Sequence, residues 1–275
     1  MDGYNYLTKR CFLRKQLKRK ALYTLVDISM IPITIPYNFR IIAHRGASAY
    51  APENTMAAFD LAVNMGITEI ETDTQLCTDG TVVLCHDPTL ERYGHGTKLI
   101  EDHSVSELLS LDMGSWFSPF LYSGETMVTL YDLFSQYRDK INYHIELKGE
   151  STDLPKKVLE HIHKFELSDF CIVTSFSYES LKQMRSLTRD LRLGWLVNSI
   201  DSDICNRAEK LDLFQLCPHA DVVTPEMVKL GKTVAYEIRA WGISDQPEKV
   251  EKSVQQVIDS GCDGMTINWP DWVVH

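Results

Sequence analysis

The sequence predicts a closed (β/α)8 barrel, and three observations carry the prediction. From residue 40 onward, short apolar runs of strand length alternate with helical patterns, the signature of parallel strands joined by crossover helices. One run returns through Thr78-Asp79-Gly80-Thr81 as a hairpin arm, which leaves eight strands in about 235 residues, a length suited to a barrel. No G-x-G-x-x-G follows any strand, so a doubly wound open sheet ranks second.

The elements follow in order. The first strand is 40–44 (RIIAH), and the helix after it spans 55–65, with Asn54 as its cap and Gly66 just past the last apolar position, Met65. Strand 68–73 (TEIETD) and the hairpin arm 81–85 (TVVLC) come next. Residues 87–128 then break the rhythm: they are rich in Gly, Ser and aromatics and hold one short helix pattern, at 104–111. A long irregular stretch of this kind is expected to be an insertion, here a lobe over the face that His86 approaches. The alternation resumes with strands at 143–147, 171–175, 192–197, 220–224, 234–239 and 263–267. Helices are expected over 129–139, 154–165, 178–188, 202–213, 225–230 and 247–259.

Composition narrows the function classes. With 275 residues, 44% hydrophobic, the chain can bury a core without disulfides or a structural metal. No run of about 18 apolar residues predicts a membrane-spanning helix. Seven cysteines without a C-x-x-C pair fit neither a secreted disulfide framework nor a zinc ribbon, which points to a reducing, cytoplasmic setting. The formal net charge of −10 argues against nucleic acid as a partner, yet it hides an asymmetry. Residues 1–40 hold eight Lys/Arg and two Asp, a segment of +6 ahead of a body of −16. Residues 1–39 are therefore treated as a basic N-terminal extension and 40–275 as the barrel.

The chemistry-bearing residues fall at strand ends. His44-Arg45-Gly46 closes the first strand, Glu71 and Asp73 share one face of the second, His86-Asp87 ends the hairpin arm, and Glu146 and Lys148 end the strand 143–147. A barrel gathers such ends on its catalytic face. Three carboxylates there would repel one another unless a hard divalent cation, Mg²⁺ or Ca²⁺, lay between them. His44 and His86 suit an acid–base pair, and Arg45 and Lys148 suit an anionic group. Together these read as phosphoryl-ester chemistry. Plainer readings apply elsewhere. Pro52-Glu53-Asn54-Thr55 is read as a helix start and Asp79-Gly80 as a turn. His95, His103, His161, His163 and His219 are read as surface or satisfied histidines, and Trp195 as core. Trp241 stands between core and substrate wall.

The run HRGASAYAPENTMAAFDLAVNMGITEIETDTQLCTDGTVVLCHDPTLER resembles the glycerophosphodiester phosphodiesterase family, whose motifs run HRG, PENT, E-x-D, T-x-D-G, HD and E-x-K. The likeness continues through SVSELLSLDMGSWF, VTLYDLF, His144–Lys148, Ala240-Trp241 and GCDGMTINWPD, covering about 40–271. The resemblance implies a TIM barrel with a small insertion, one divalent cation (Mg²⁺ or Ca²⁺, with Mn²⁺ as a substitute), and hydrolysis of glycerophosphodiesters to glycerol 3-phosphate and an alcohol. It implies Glu71, Asp73 and Glu146 as metal ligands, His44 and His86 as the catalytic pair, Arg45 and Lys148 as phosphate contacts, and Trp241 as the aromatic wall of the glycerol pocket. Trp116, Phe117 and Phe120 of the insertion become candidates to limit the leaving alcohol. Three departures from the family pattern occur: Val128 stands where Pro is frequent, Thr74 where Val is common, and Ile267-Asn268 where Thr-Asp is common. Two alternatives stand beside this reading: a lysophospholipase D or sphingomyelinase D-like enzyme on the same barrel, and an inactive binding barrel. Every catalytic position is filled, against the second.

Residues 9–26 place Leu13, Leu17, Ala21 and Leu25 four apart among basic residues. A basic amphipathic helix results, packed against the acidic barrel or lying on an anionic membrane surface. A signal peptide is a third reading, weakened by Asp27, Pro32 and Pro36 and by the lack of an A-x-A-like site.

Overall fold

The computed structural model describes residues 32–274. The basic helix expected over 9–26 lies outside them. Eight parallel strands close into a barrel: β2 (Arg40–His44), β3 (Glu69–Leu76), β5 (Asn142–Leu147), β6 (Cys171–Ser175), β7 (Arg192–Leu196), β8 (Gln215–Cys217), β9 (Glu237–Ala240) and β10 (Gly264–Ile267). The seam is β2, which pairs with β10 on one side and β3 on the other. As expected, β4 (Val82–Leu84) returns antiparallel onto β3. Two further short strands, β1 (Ile33–Thr34) and β11 (Val273–Val274), pair in parallel. Residues 33–39, counted with the extension on sequence, therefore join the barrel, and Ile33, Ile35 and Phe39 are buried in its main core.

The crossover helices are α1 (Met56–Asn64), α3 (Leu130–Tyr137), α4 (Leu154–Lys164), α5 (Tyr178–Leu187), α6 (Ser202–Lys210), α7 (Pro225–Gly231) and α8 (Pro247–Asp259), with α2 (Val105–Leu109) in the insertion. They cover the outer faces of the strands: Ile70, Tyr143, Val173, Leu193 and Ile238 pack with Phe59, Phe134, Val158, Leu181 and Val254 in one core. Both faces of each strand are thus covered, as parallel sheets require.

Two expectations fail for physical reasons. The strand expected at 220–224 is instead Gln215–Cys217, and the helix before it stops at Lys210 rather than 213. Gln215 reads as polar, but it is buried and donates to Glu237 Oε2 at 2.7 Å, so an inward polar residue hid the strand. The cap of α1 is Thr55, whose Oγ1 accepts the Ala58 N–H at 3.3 Å, and not Asn54. Asn54 takes a positive φ of 56° and turns its side chain elsewhere.

The floor of the barrel interior is polar. Arg40 donates to Glu69 at 2.8 Å through Nε and to Glu237 at 2.5 Å through Nη1, and His144 Nε2 lies 3.0 Å from Glu69 Oε2. Burial would push the Glu69 carboxyl up, but the bonds from His144 and Arg40 hold it down to about 2. The insertion 87–128 builds a second small core of Leu90, Tyr93, Ile100, Leu108, Met113 and Met127 against Val83 and Cys85 of the hairpin.

Candidate active site

Strand register assembles the site. His44 stands opposite Glu71 across β2–β3, and Asp73 opposite Glu146 across β3–β5. Alternation turns Glu71, Asp73 and Glu146 to the interior, and all three are buried. One oxygen from each lies within 4.8 Å of the others. Burial, with Asp73 beside them, pushes the Glu71 and Glu146 carboxyls up, Glu146 to about 7. Burial pushes Asp73 up too, but Arg45, His86 and Lys148 with the Asn54 hydrogen bond hold it ionised, at about 2. Asp73 Oδ1 is buried and accepts no hydrogen bond among the described residues. Three crowded carboxyls and an orphaned lone pair fit a hard, oxygen-preferring divalent cation; the set contains no thiolate or imidazole.

The turn after β2 is shaped by backbone as much as by side chains. Arg45 and Gly46 both take positive φ, 55° and 83°. A Cβ on Gly46 would sit 2.6 Å from the Ala58 carbonyl carbon of α1, so that position admits glycine alone. The strained Arg45 directs its N–H to Glu71 Oε2 at 3.1 Å. Its guanidinium pairs with Glu53 at 2.8 Å and Asp73 at 3.0 Å. Lys148 Nζ lies 3.1 Å from Glu146 and 3.8 Å from Asp73.

The two histidines have different partners. His44 Nδ1 is 2.7 Å from Asn268 Oδ1, and an amide oxygen only accepts, so Nδ1 carries the proton and Nε2, 3.9 Å from Glu71 Oε2, keeps its lone pair. Burial and the nearby Arg45 charge lower the His44 pKa to about 3. His86 Nδ1 is 2.7 Å from Asp87 Oδ1, and Asp87 is held as an anion by two bonds from Arg92 at 2.5 and 2.7 Å. Burial also lowers His86, against the pull of the Asp87 hydrogen bond.

His44, Arg45, Glu71, His86, Glu146, Lys148 and Trp241 line one cavity, together with Thr174, Phe176, Leu196, Arg239 and Thr266. Trp241 stands edge-to-face on Phe176 at 4.8 Å and on His219 at 4.4 Å. Trp195 is buried, as expected. Several contributors went unread in the sequence. Phe176 and Arg239 share the inward face of Thr174 and Trp241, so alternation carried one residue past the strand end would have found Phe176. Arg239 is a charge inside an apolar strand, the same signal that marked Glu71.

Asn54 is the clearest reassignment. Its Nδ2 donates to Asp73 Oδ2 at 2.9 Å, and its Oδ1 accepts from Thr72 at 2.8 Å. The tetrapeptide 52–55 is therefore a helix start and a support for the carboxylates at once. Glu53 accepts from Arg45, Arg92 and Tyr93. The three departures also find their places. Thr74 donates to the Glu146 carbonyl at 2.7 Å, the Val128 carbonyl accepts the Leu84 N–H at 2.9 Å, and Asn268 holds His44.

The insertion reaches the catalytic face through Arg92, and Glu101 accepts the Ser151 N–H in the loop after β5 at 3.1 Å. Its aromatics do not line the cavity, contrary to expectation. Trp116 packs on Tyr93 and Phe117, Phe117 on Tyr122, and Phe120 is 91% exposed. Tyr93 and Trp116 fill the lobe's own core, Tyr122 and Phe117 pack on Ala51, Ala57 and Ala58, and the cavity wall comes from strand ends.

Known proteins resemble the chain over most of the barrel. A family model described as the glycerophosphoryl diester phosphodiesterase family matches residues 44–272. A glycerophosphodiester phosphodiesterase of Caldanaerobacter subterraneus subsp. tengcongensis is 30% identical over 239 residues, covering 86% of this chain and 96% of the relative. One of Bacillus subtilis is 28% identical over 253 residues, covering 86% and 85%. A solved phosphodiesterase of Oleispira antarctica, in complex with its product sn-glycerol-3-phosphate, superposes with a TM-score of 0.74 at 31% identity, covering 86% of this chain and 94% of that one.

Proposed function

Because the chain belongs to the glycerophosphoryl diester phosphodiesterase family and is a glycerophosphodiester phosphodiesterase, we propose how its own residues divide the work of releasing sn-glycerol 3-phosphate and an alcohol. The strand register carries the proposal: His44 opposite Glu71 and Asp73 opposite Glu146 set three carboxylates close together beside an imidazole. Glu71, Asp73 and Glu146 would hold one divalent cation, Mg²⁺ or Ca²⁺ with Mn²⁺ as a substitute, and that ion supplies Lewis-acid polarisation of a phosphoryl oxygen. Arg45 and Lys148 take the remaining negative charge of the phosphoryl group.

His44 is the base. Asn268 accepts from Nδ1 and so fixes the tautomer, and Nε2 presents a lone pair to the nucleophile. His86 is the acid. The Asp87 carboxylate against its Nδ1 favours the imidazolium, which delivers its Nε2 proton to the alkoxide as the P–O bond breaks. Trp241 and Phe176 wall the glycerol moiety and shut water from one side of it. The nucleophile is water or the neighbouring glycerol hydroxyl; the second gives a cyclic phosphate that chromatography would detect.

The test is a panel of glycerophosphodiesters and lysophospholipids assayed with Mg²⁺, Ca²⁺ or Mn²⁺ after exhaustive chelation. The proposal expects no turnover in chelator, recovery with a hard cation, and glycerol 3-phosphate as product. Full activity in a protein freed of metal would overturn the cation site, and preference for lysophospholipids would move the chain to the lysophospholipase D reading.

A further inference from the structure

One cation in the cavity has no role in the scheme above. Arg239 lies on β9 between Glu237 and Trp241 at alternate positions, so all three face the interior. Its side chain is 1% exposed and lines the cavity beside Glu71, Glu146 and Thr266. Its hydrogen bond is a long one, from Nη1 to Thr266 Oγ1 at 3.4 Å. Its Nε and Nη2 are buried with no hydrogen-bond partner among the described residues.

The contrast with Arg40 is informative. Arg40, on the floor below, is saturated by two carboxylates, Glu69 and Glu237. Arg239 is more deeply buried and has no such pair among the described residues. A guanidinium offers five N–H donors, and burying them unpaired is among the most unfavourable arrangements a fold can hold. Retaining one at the base of a ligand cavity makes sense if the ligand completes it. The diester carries one negative charge on phosphorus oxygens, and the product carries up to two. A fixed, desolvated guanidinium acts most strongly on the charge that develops between those states.

We infer that Arg239 is a third cationic contact of the substrate, donating to a phosphoryl oxygen from beneath, beside the two cations already assigned. The inference rests on the phosphodiesterase reading of the cavity. The rival explanation is that Arg239 merely offsets the carboxylates, Glu71 above all, whose ionisation it favours.

Substitution separates the two. With a saturating divalent cation, competition by glycerol 3-phosphate and by glycerol is measured for the wild type, Arg239→Lys and Arg239→Met, alongside metal affinity and thermal stability. A phosphoryl contact predicts that Arg239→Met binds glycerol 3-phosphate about 10- to 100-fold more weakly, with kcat/KM falling at least as far and glycerol unaffected. Arg239→Lys keeps the charge and so keeps the balance with the carboxylates, but it loses the fork and weakens glycerol 3-phosphate by an intermediate factor. That variant decides the matter if Arg239→Met does not fold. Unchanged glycerol 3-phosphate competition in Arg239→Lys would overturn the inference, and altered metal affinity in Arg239→Met beside it would make the residue a counter-ion only. An equal loss for glycerol would place the guanidinium on the hydroxyls instead and overturn it too. Failure of the wild type to hydrolyse glycerophosphodiesters would reject the underlying reading, a result distinct from either.

Discussion

Replacing Asn54 tests two properties at once, because its side chain and its backbone do different things. The side chain bonds Asp73 and Thr72 at 2.9 and 2.8 Å, and the backbone sits at φ 56°. Removing a bond to a charged group costs roughly 1.5–3 kcal/mol and a neutral one roughly 0.5–1.5, so either truncation should lose about 2–4 kcal/mol. Alanine adds the left-handed penalty, ~1–2 kcal/mol. Glycine escapes that but is disfavoured by ~0.4–1 kcal/mol through the entropy of the unfolded chain. Asn54→Ala should therefore be less stable than Asn54→Gly by roughly 0.5–1 kcal/mol. Both lose the bond that orients Asp73, so both should bind the divalent cation about 10- to 100-fold more weakly. Urea unfolding of the metal-free protein and calorimetric titration with Mn²⁺ read the two effects separately. If both variants keep wild-type metal affinity, Asn54 does not support a ligand. If alanine and glycine are equally stable, the positive φ is not what distinguishes this position.

Three further outcomes are expected. His44→Ala and His86→Ala should each lose about 10²–10⁴-fold in kcat, and a nitrophenyl diester, whose leaving group needs no proton, should rescue His86→Ala alone; identical responses would reject the division of roles. Glu69 is held at about 2 against an ordinary value of 4.5, so its stabilising contribution, on the order of 3 kcal/mol, is complete above pH 4.5 and fades as pH falls toward 2. Glu69→Gln should lose that amount at neutral pH and approach the wild type in acid; a deficit constant down to pH 2.5 would contradict the assignment. Trp116→Ala should destabilise the insertion by roughly 3 kcal/mol, while Phe120→Ser should stay within about 0.5 kcal/mol of the wild type. Neither should reorder a series of leaving alcohols, whereas Phe176→Ala should; a Phe120 effect on that order would restore the lobe as a selector.

The barrel was legible because its outward faces obey the apolar rule, and the carboxylates were legible because they interrupt it. Glu71, Asp73 and Glu146 stand out as carboxylates in strands of a sheet covered on both faces, and the register then brings them together. The same rule hid β8, whose inward Gln215 donates to Glu237, 22 residues further on. It also hid the choice between Asn54 and Thr55 as cap, since both side chains can accept an N–H and only the distant Asp73 decides which turns away. Residues 33–39 were set aside because the partner of β1 is β11, at the other end of the chain. Nothing local announces such pairings. The aromatics of the insertion were misplaced for a related reason: composition shows that rings are present, and packing alone shows which space they fill.

The bond between His44 and Asn268 spans 224 positions, and the paired residues of the seam between β2 and β10 lie the same distance apart in sequence. Synthesis at ~5–20 residues per second puts on the order of 10–50 s between the appearance of that histidine and of the amide that orients it. Throughout that interval one edge of β2 waits without its partner, an open template for misjoined strands. Loss of function through slow or interrupted translation would therefore fall first on proton transfer. Before β10 docks, the nascent barrel already carries both imidazoles and all three carboxylates, with nothing yet to aim the base.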